Sequence, residues 1–183
     1  MRIISGKFKG KKIYLPKDNL TRPLRDMVKE SIFNILKHSS LLKNSIEKAH
    51  ILDLFSGTGS FGLECISRGA AHVTFFENYE NALKVLMKNI NNLNCSSRTK
   101  IYKENIFNAD LNLLGKFDII FLDPPFKYNN IGKLISSLIY KNILKKNGII
   151  VLHKHKNDAD NFPKEFKIIK QINHGISKIY FGN

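Results

Sequence analysis

From position 50 onward, short apolar runs alternate with segments whose apolar residues recur every three or four positions. Ile51–Phe55, His72–Phe76, Thr99–Lys103, Phe117–Leu122 and Gly148–Leu152 have the length and character of strands. Between them, the segment ending near Ser67, Asn81–Leu93 and Ile131–Ile143 have helical spacing. Phe166–Ile172 and Ile176–Phe181 predict a terminal strand pair around Asn173-His174-Gly175. Strands separated by helices describe an α/β fold, a parallel sheet with helices on both faces.

Before position 50 the pattern differs. Arg2–Ser5 and Lys11–Leu15 predict short strands joined by Gly6-Lys7-Phe8-Lys9-Gly10, and Pro16–Pro23 predicts a linker. Leu24–Lys37 then places Val28, Ile32, Ile35 and Leu36 on one helical face. The chain therefore divides into an extension at 1–48 and an α/β domain at 49–183.

Charge sharpens this division. The 183 residues carry a net charge of +15, and residues 1–50 hold 12 basic and 4 acidic side chains. A chain this basic is suited to a polyanion, because neutralising phosphates releases counterions. Lys7, Lys9, Lys11, Arg22 and Arg25 are the candidate RNA contacts. A base-composition bias in the genome that makes the chain rich in Lys and Asn would produce the same excess without function. The longest apolar stretches are of strand length, which gives no expectation of a membrane span. Cys65 falls in a predicted helix and Cys95 in a polar loop, so a disulfide is not expected and a reducing cytoplasm is. His153 and His155 alternate at a strand end without a carboxylate or thiol cluster, and read as surface or RNA contacts, with no metal site.

The first strand runs into Asp53-Leu54-Phe55-Ser56-Gly57-Thr58-Gly59-Ser60-Phe61-Gly62, which holds the G-x-G-x-x-G spacing between strand and helix. Glu77 closes the second strand, twenty residues after Gly57, where an acid can accept both hydroxyl hydrogens of a ribose. These features point to a nucleoside cofactor. Asp53 favours S-adenosylmethionine over a dinucleotide, since a carboxylate beside the loop repels a pyrophosphate and suits an ammonium and a sulfonium. Asn105 follows the third strand, where an amide can read an adenine edge or cap the turn that follows.

Asp123-Pro124-Pro125-Phe126 ends the fourth strand at the same crevice. An exocyclic amino group is a poor nucleophile because its lone pair is delocalised into the base. Two acceptors on its hydrogens, the Asp123 carboxylate and the Pro124 carbonyl, would localise that pair. Paired prolines fix the direction of the carbonyl, and Phe126 offers a stacking face for an extruded base. Asp123, Pro124, Pro125 and Phe126 are therefore the candidate catalytic residues.

With these residues in place, the chain resembles the bacterial 16S rRNA guanine-N2 methyltransferases of the RsmD type. The resemblance rests on Asp53–Glu64 and Asp123–Phe126, on Arg2-Ile3-Ile4-Ser5-Gly6 with Gly10-Lys11-Lys12, and on Thr21-Arg22-Pro23 followed by Asp26, Val28, Lys29, Glu30, Phe33 and Asn34. It implies a Rossmann-like class I methyltransferase fold with a seven-stranded, mostly parallel sheet and a small N-terminal extension. It implies S-adenosylmethionine as methyl donor, held by Asp53, Phe55, Gly57, Thr58, Gly59, Glu77, Asn78, Asn105, Ile106 and Asp123. It also implies a guanine of 16S rRNA, within the small ribosomal subunit or an assembly intermediate, as acceptor of a monomeric enzyme. Arg22, Asp26 and Glu30 would stand near the cofactor or the RNA entrance. Met27, Lys29, Tyr79 and Asn105 depart from the family pattern without removing a catalytic group.

Three other readings use the same residues. Methyltransferases of DNA adenine or protein glutamine commonly begin the tetrad with Asn and need a target-recognition region for which this chain has little room. A non-catalytic RNA-binding assembly factor would leave Asp123 without a task. A nicotinamide dehydrogenase would leave the whole tetrad without one.

Overall fold

In the computed structural model, residues 1–18, 21, 24–38, 46–125, 130–159 and 161–183 are described. Their strands are β1 (His50–Leu54), β2 (His72–Phe76), β3 (Thr99–Tyr102), β4 (Phe117–Leu122), β5 (Leu144–His155), β6 (Ile168–His174) and β7 (Ser177–Gly182). Their α-helices are α1 (Asp26–His38), α2 (Ser60–Ser67), α3 (Glu80–Asn92) and α4 (Ile131–Tyr140). The strands form one sheet in the order β3-β2-β1-β4-β5-β7-β6. Every pairing from β3 to β5 is parallel, and β7 is antiparallel to both of its neighbours. This is the Rossmann-like methyltransferase sheet that the sequence implied.

Successive side chains of a strand point to opposite faces, and the two hydrophobic cores follow that alternation. Ile51, Val73, Phe75, Ile119, Phe121, Ile149, Val151, Ile179 and Phe181 pack with residues of α1, α2 and α3. Leu52, Leu54, Phe76, Ile120, Leu122, Ile150, Leu152 and Tyr180 pack with α4. The phase matters for the site, because Asp53, Asp123 and His153 continue the first set at their strands' ends.

The N-terminal residues share the first of these cores, where Ile3 and Ile13 are fully buried with Val28, Ile32, Phe33 and Leu36 of α1. Burying each such side chain contributes roughly 1.5–3 kcal/mol. The two expected segments pair antiparallel over one bridge, Arg2 to Lys12, with Ile3 N donating to the Lys11 carbonyl at 2.9 Å and Ile13 N to the Met1 carbonyl at 3.0 Å. The pairing stays short because the next backbone donors turn to α2 instead. Ile4 and Ser5 donate to the two oxygens of Glu64 at 2.7 and 2.9 Å, and Lys7 donates to the Ser67 carbonyl at 2.7 Å. Gly6 makes this approach possible at φ +81°, since a Cβ there would stand 1.9 Å from the Ser67 oxygen.

Glu64 is completely buried and also accepts from Arg68 Nε at 2.8 Å, with Lys29 Nζ 3.9 Å away. Burial lowers the Lys29 pKa against the opposing pull of Glu64 and Asp26. Other boundaries move by a few residues. α4 ends at Tyr140 rather than Ile143, where Asn142 turns with φ +59°, and β5 begins at Leu144 with a register irregularity against β4. β6 starts at Ile168, two residues later than expected.

Candidate active site

β1 lies between β2 and β4, so the crossovers from these strands depart in opposite directions, and a crevice opens outside the carboxyl ends of β1 and β4. A cavity of about 440 Å³ occupies it, bounded by Asp53, Phe55, Gly57, Glu77, Asp123 and Pro124 among others. A smaller cavity of about 210 Å³ shares Phe55, Glu77, Asn78 and Pro125 with it and adds Asn105 and Ile106. The glycine loop, the acid ending β2 and the proline pair ending β4 are thus brought to one place.

The loop is fixed by hydrogen bonds from both sides. Ser56 N donates to the Phe76 carbonyl at 3.0 Å, and Asn89 Nδ2 of α3 donates to the Thr58 carbonyl at 3.0 Å. Gly59 precedes α2 in the left-handed conformation. Gly62 fulfils a packing need, since a Cβ there would meet the Phe75 ring at 2.4 Å. Phe55, at the turn out of β1, holds φ +57° without being glycine. Such conformations cost about 1–3 kcal/mol and persist where the surroundings over-determine them.

Both acids of this wall accept backbone amides. Gly62 N donates to Asp53 Oδ2 at 2.9 Å. Glu77 accepts from Gly57 N at 2.7 Å on one oxygen, and from Asn78 N at 2.9 Å and Tyr79 N at 2.8 Å on the other. Each carboxylate has about four acceptor positions, so these bonds orient the groups and leave capacity for a ligand. Burial pushes the Asp53 carboxyl well above its ordinary range, the Gly62 amide opposes this, and the negative charges of Asp123 and Glu77 add to it.

Across the crevice, Asp123 is oriented by side chains instead. Its Oδ1 lies 2.8 Å from His153 Nδ1, and His153 Nε2 lies 2.8 Å from Ser177 Oγ. His153 is only 4% exposed and Ser177 6%. This corrects the reading of His153 as a surface or RNA contact. β5 pairs with β4 in the register Leu122 to Leu152, which sets positions 123 and 153 side by side. The signal was present in the alternation Ile149, Val151, His153 against Ile119, Phe121, Asp123, but using it requires knowing that these strands are neighbours. His155, half-buried, accepts from Asn157 N at 3.2 Å through Nδ1. A second cavity of about 440 Å³ adjoins on the far side of the pair, bordered by Leu24, Arg25, Asp26, His153 and Ser177.

The remaining sequence candidates separate clearly. Thr58 is buried beside the cavity, and Pro125 is exposed at its mouth. Asn105 Oδ1 accepts from Phe107 N at 3.1 Å, so it caps the short turn Ile106–Asn108 while bordering the smaller cavity. Arg25 is exposed at the second cavity, whereas Lys7, Lys9 and Lys11 are exposed on the N-terminal turn that docks on α2. Arg22 and Phe126 lie outside the described residues. Besides His153, the sequence reading missed Thr21, whose buried hydroxyl borders the main cavity without a hydrogen-bond partner among the described residues. It also missed Tyr79, whose hydroxyl donates to Asp18 Oδ2 at 3.0 Å. Among the described residues, no group of three His, Cys, Asp or Glu is placed to hold a metal ion.

Comparison with known proteins agrees with this geometry. The family described as Conserved hypothetical protein 95 matches residues 1–183. Ribosomal RNA small subunit methyltransferase D of Haemophilus influenzae is 35% identical over 182 residues, covering 96% of this chain and 90% of that protein. The solved structure of yhhF from Escherichia coli superposes with a TM-score of 0.83 at 26% identity, covering 100% of this chain and 96% of the other. An RNA methyltransferase from Salinibacter ruber, solved with S-adenosyl-L-homocysteine, shares the fold with a TM-score of 0.64 at 15% identity, covering 87% and 92% of the two chains. By sequence over its whole length, the chain belongs to the Conserved hypothetical protein 95 family.

Proposed function

We propose that this protein transfers a methyl group from S-adenosylmethionine to the exocyclic N2 of a guanine in 16S ribosomal RNA, acting as a cytoplasmic monomer on the small subunit or its assembly intermediate. The observation that carries the reading is Asp123 facing Asp53 and Glu77 across one cavity, with Pro124 beside it. The name of the Haemophilus influenzae relative and the charge of +15 support an RNA target.

The residues present suit the methyl donor. Glu77, held by three backbone amides, would accept from the ribose hydroxyls, and Asp53 would stand against the methionine ammonium. Phe55, Ile106 and Pro125 border the smaller cavity together with Asn105 and Asn78, and this is where the adenine would lie. Gly57 and Thr58 line the main cavity where the methionine end would lie, Gly59 turns the chain behind them into α2, and the Thr21 hydroxyl, without a hydrogen-bond partner among the described residues, offers a further polar group. When bound, S-adenosylmethionine supplies a methyl carbon on a sulfonium, which the amine nitrogen takes as sulfur keeps the bonding pair.

The chain's own contribution is to prepare the amine. The Asp123 carboxylate and the Pro124 carbonyl accept its two hydrogens, which localises the nitrogen lone pair. Asp123 then receives the proton that the product sheds. Much of the rate comes from holding the two partners in line. Phe126 gives the extruded base a stacking face, and Lys7, Lys9, Lys11, Arg22 and Arg25 bind the RNA backbone. Tritium transfer from labelled S-adenosylmethionine to naked 16S rRNA and to partly assembled small subunits, followed by nucleoside analysis, tests the proposal. The expected product is N2-methylguanosine, formed faster on the protein-bearing particle. A methylated adenine, or no transfer to either RNA by cofactor-loaded protein, would overturn it.

A further inference from the structure

The structure assigns to His153, braced by Ser177, the task of positioning Asp123 for the reaction. This rests on the reading of Asp123 as the acceptor for the target amine. An ionised carboxylate can only accept hydrogen bonds, so His153 Nδ1, 2.8 Å from Asp123 Oδ1, must carry the proton between them. In the neutral ring, Nε2 then accepts from the Ser177 hydroxyl at 2.8 Å. The imidazole is thereby held from both ends in one orientation and one tautomer.

The consequence for chemistry is geometric. A carboxylate at the end of a strand can rotate about its Cβ–Cγ bond, and each rotation moves both oxygens. Fixing Oδ1 on a buried, immobile donor fixes the carboxylate plane and therefore the position of Oδ2. The acceptor pair formed with the Pro124 carbonyl needs this, because the proline side is already rigid and a mobile partner would leave the two acceptors misaligned. Placement errors on the order of 1 Å are worth about 100-fold in rate.

Three adjacent strands supply the parts: Asp123 follows β4, His153 lies near the end of β5 and Ser177 begins β7. All three occupy positions on one face of the sheet, with Asp123 bordering the main cavity and His153 and Ser177 bordering the second. Any buried imidazole needs partners for its two nitrogens; what ties this one to the reaction is that one of those partners is the crevice carboxylate itself.

The full-length protein is assayed with tritiated S-adenosylmethionine and partly assembled small subunits, alongside calorimetric cofactor binding and thermal melting. His153→Phe is expected to lose about 100-fold in kcat, with the particle KM and the cofactor Kd unchanged. His153→Asn can return an N–H near the Nδ1 position and is expected to recover most of the rate. Ser177→Ala, which frees the far end of the ring, is expected to give a smaller loss in kcat with the same unchanged KM. If His153→Phe does not fold, the Asn and Ala variants decide. Wild-type kcat in His153→Phe, or in Ser177→Ala where that variant decides, overturns the inference. So does a folded His153→Asn as slow as the Phe variant. Asp123→Ala separates the two levels. Turnover by that variant overturns the reading of the site itself, whereas a dead Asp123→Ala beside a fully active His153→Phe overturns only the role of His153.

Discussion

The two walls of the crevice hold their acids by different means. On the β1–β2 wall, Asp53 and Glu77 accept amides from their own loop and helix, so their partners lie within about twenty positions along the chain. On the β4–β5 wall, Asp123 is held by a histidine thirty positions away, which is held in turn by a serine twenty-four further on. Backbone donors come with the local fold and persist through most side-chain substitutions. Side-chain donors exist only once three strands are assembled, and a single substitution removes them. The first arrangement suits a site that must hold a ligand, and the second suits a group whose orientation decides a rate.

Substitution should therefore split the walls kinetically. Asp123→Ala is expected to abolish methyl transfer while the protein still binds S-adenosylmethionine, and Glu77→Ala should act mainly on cofactor Kd. Losing hydrogen bonds to a charged group costs about 1.5–3 kcal/mol, which corresponds to roughly a ten- to hundredfold weaker Kd at about 1.4 kcal/mol per tenfold. Calorimetry with S-adenosylhomocysteine beside single-turnover transfer reads both. Equal loss of binding in the two variants would erase the division between walls.

The N-terminal turn stands outside both walls. Lys7, Lys9 and Lys11 are exposed on a segment anchored through Glu64 and Ser67 to α2. Changing all three to Glu is expected to raise the particle KM and leave single-turnover kcat near wild type. Each lost phosphate contact should also flatten the log–log salt slope of RNA binding by about 0.7–0.9. A salt slope unchanged by the triple substitution would remove this turn from the RNA interface.

The same contrast explains what the sequence disclosed. The strand–Gly loop–helix unit, the acid at Glu77 and the Asp-Pro-Pro run could be read directly, because each depends on spacing within one βαβ unit. The N-terminal hairpin pairs over a shorter stretch than its two expected strands, because Ile4 and Ser5 donate to Glu64, about sixty positions away, while Ile3 and Ile13 donate across the turn. His153 was assigned to the surface for a related reason. Its burial depends on β5 lying between β4 and the antiparallel β7, a pairing that no local pattern contains.

The smallest expected effect links the two walls. Burial raises the Asp53 carboxyl well above its ordinary range, with Asp123 and Glu77 adding to the rise and the Gly62 amide opposing it. Between the unfolded and the raised folded pKa, the protein without cofactor therefore holds a proton that the unfolded chain has released. The stability from this proton is fully present below the unfolded pKa and is lost as pH rises through the folded one. A ligand carrying an ammonium and a sulfonium favours the ionised carboxylate, so binding expels the proton and cofactor affinity rises with pH across that window. The limit for one proton is a tenfold change in Kd per pH unit. Calorimetry in buffers of different ionisation heat should detect the released proton, and Asp53→Asn should remove both the release and the slope. Asp123→Ala takes away one of the charges raising the Asp53 pKa, so it should move the window to lower pH. If the profile stays in place in that variant, the two acids do not sense each other across the crevice, and the walls are independent in charge as well as in construction.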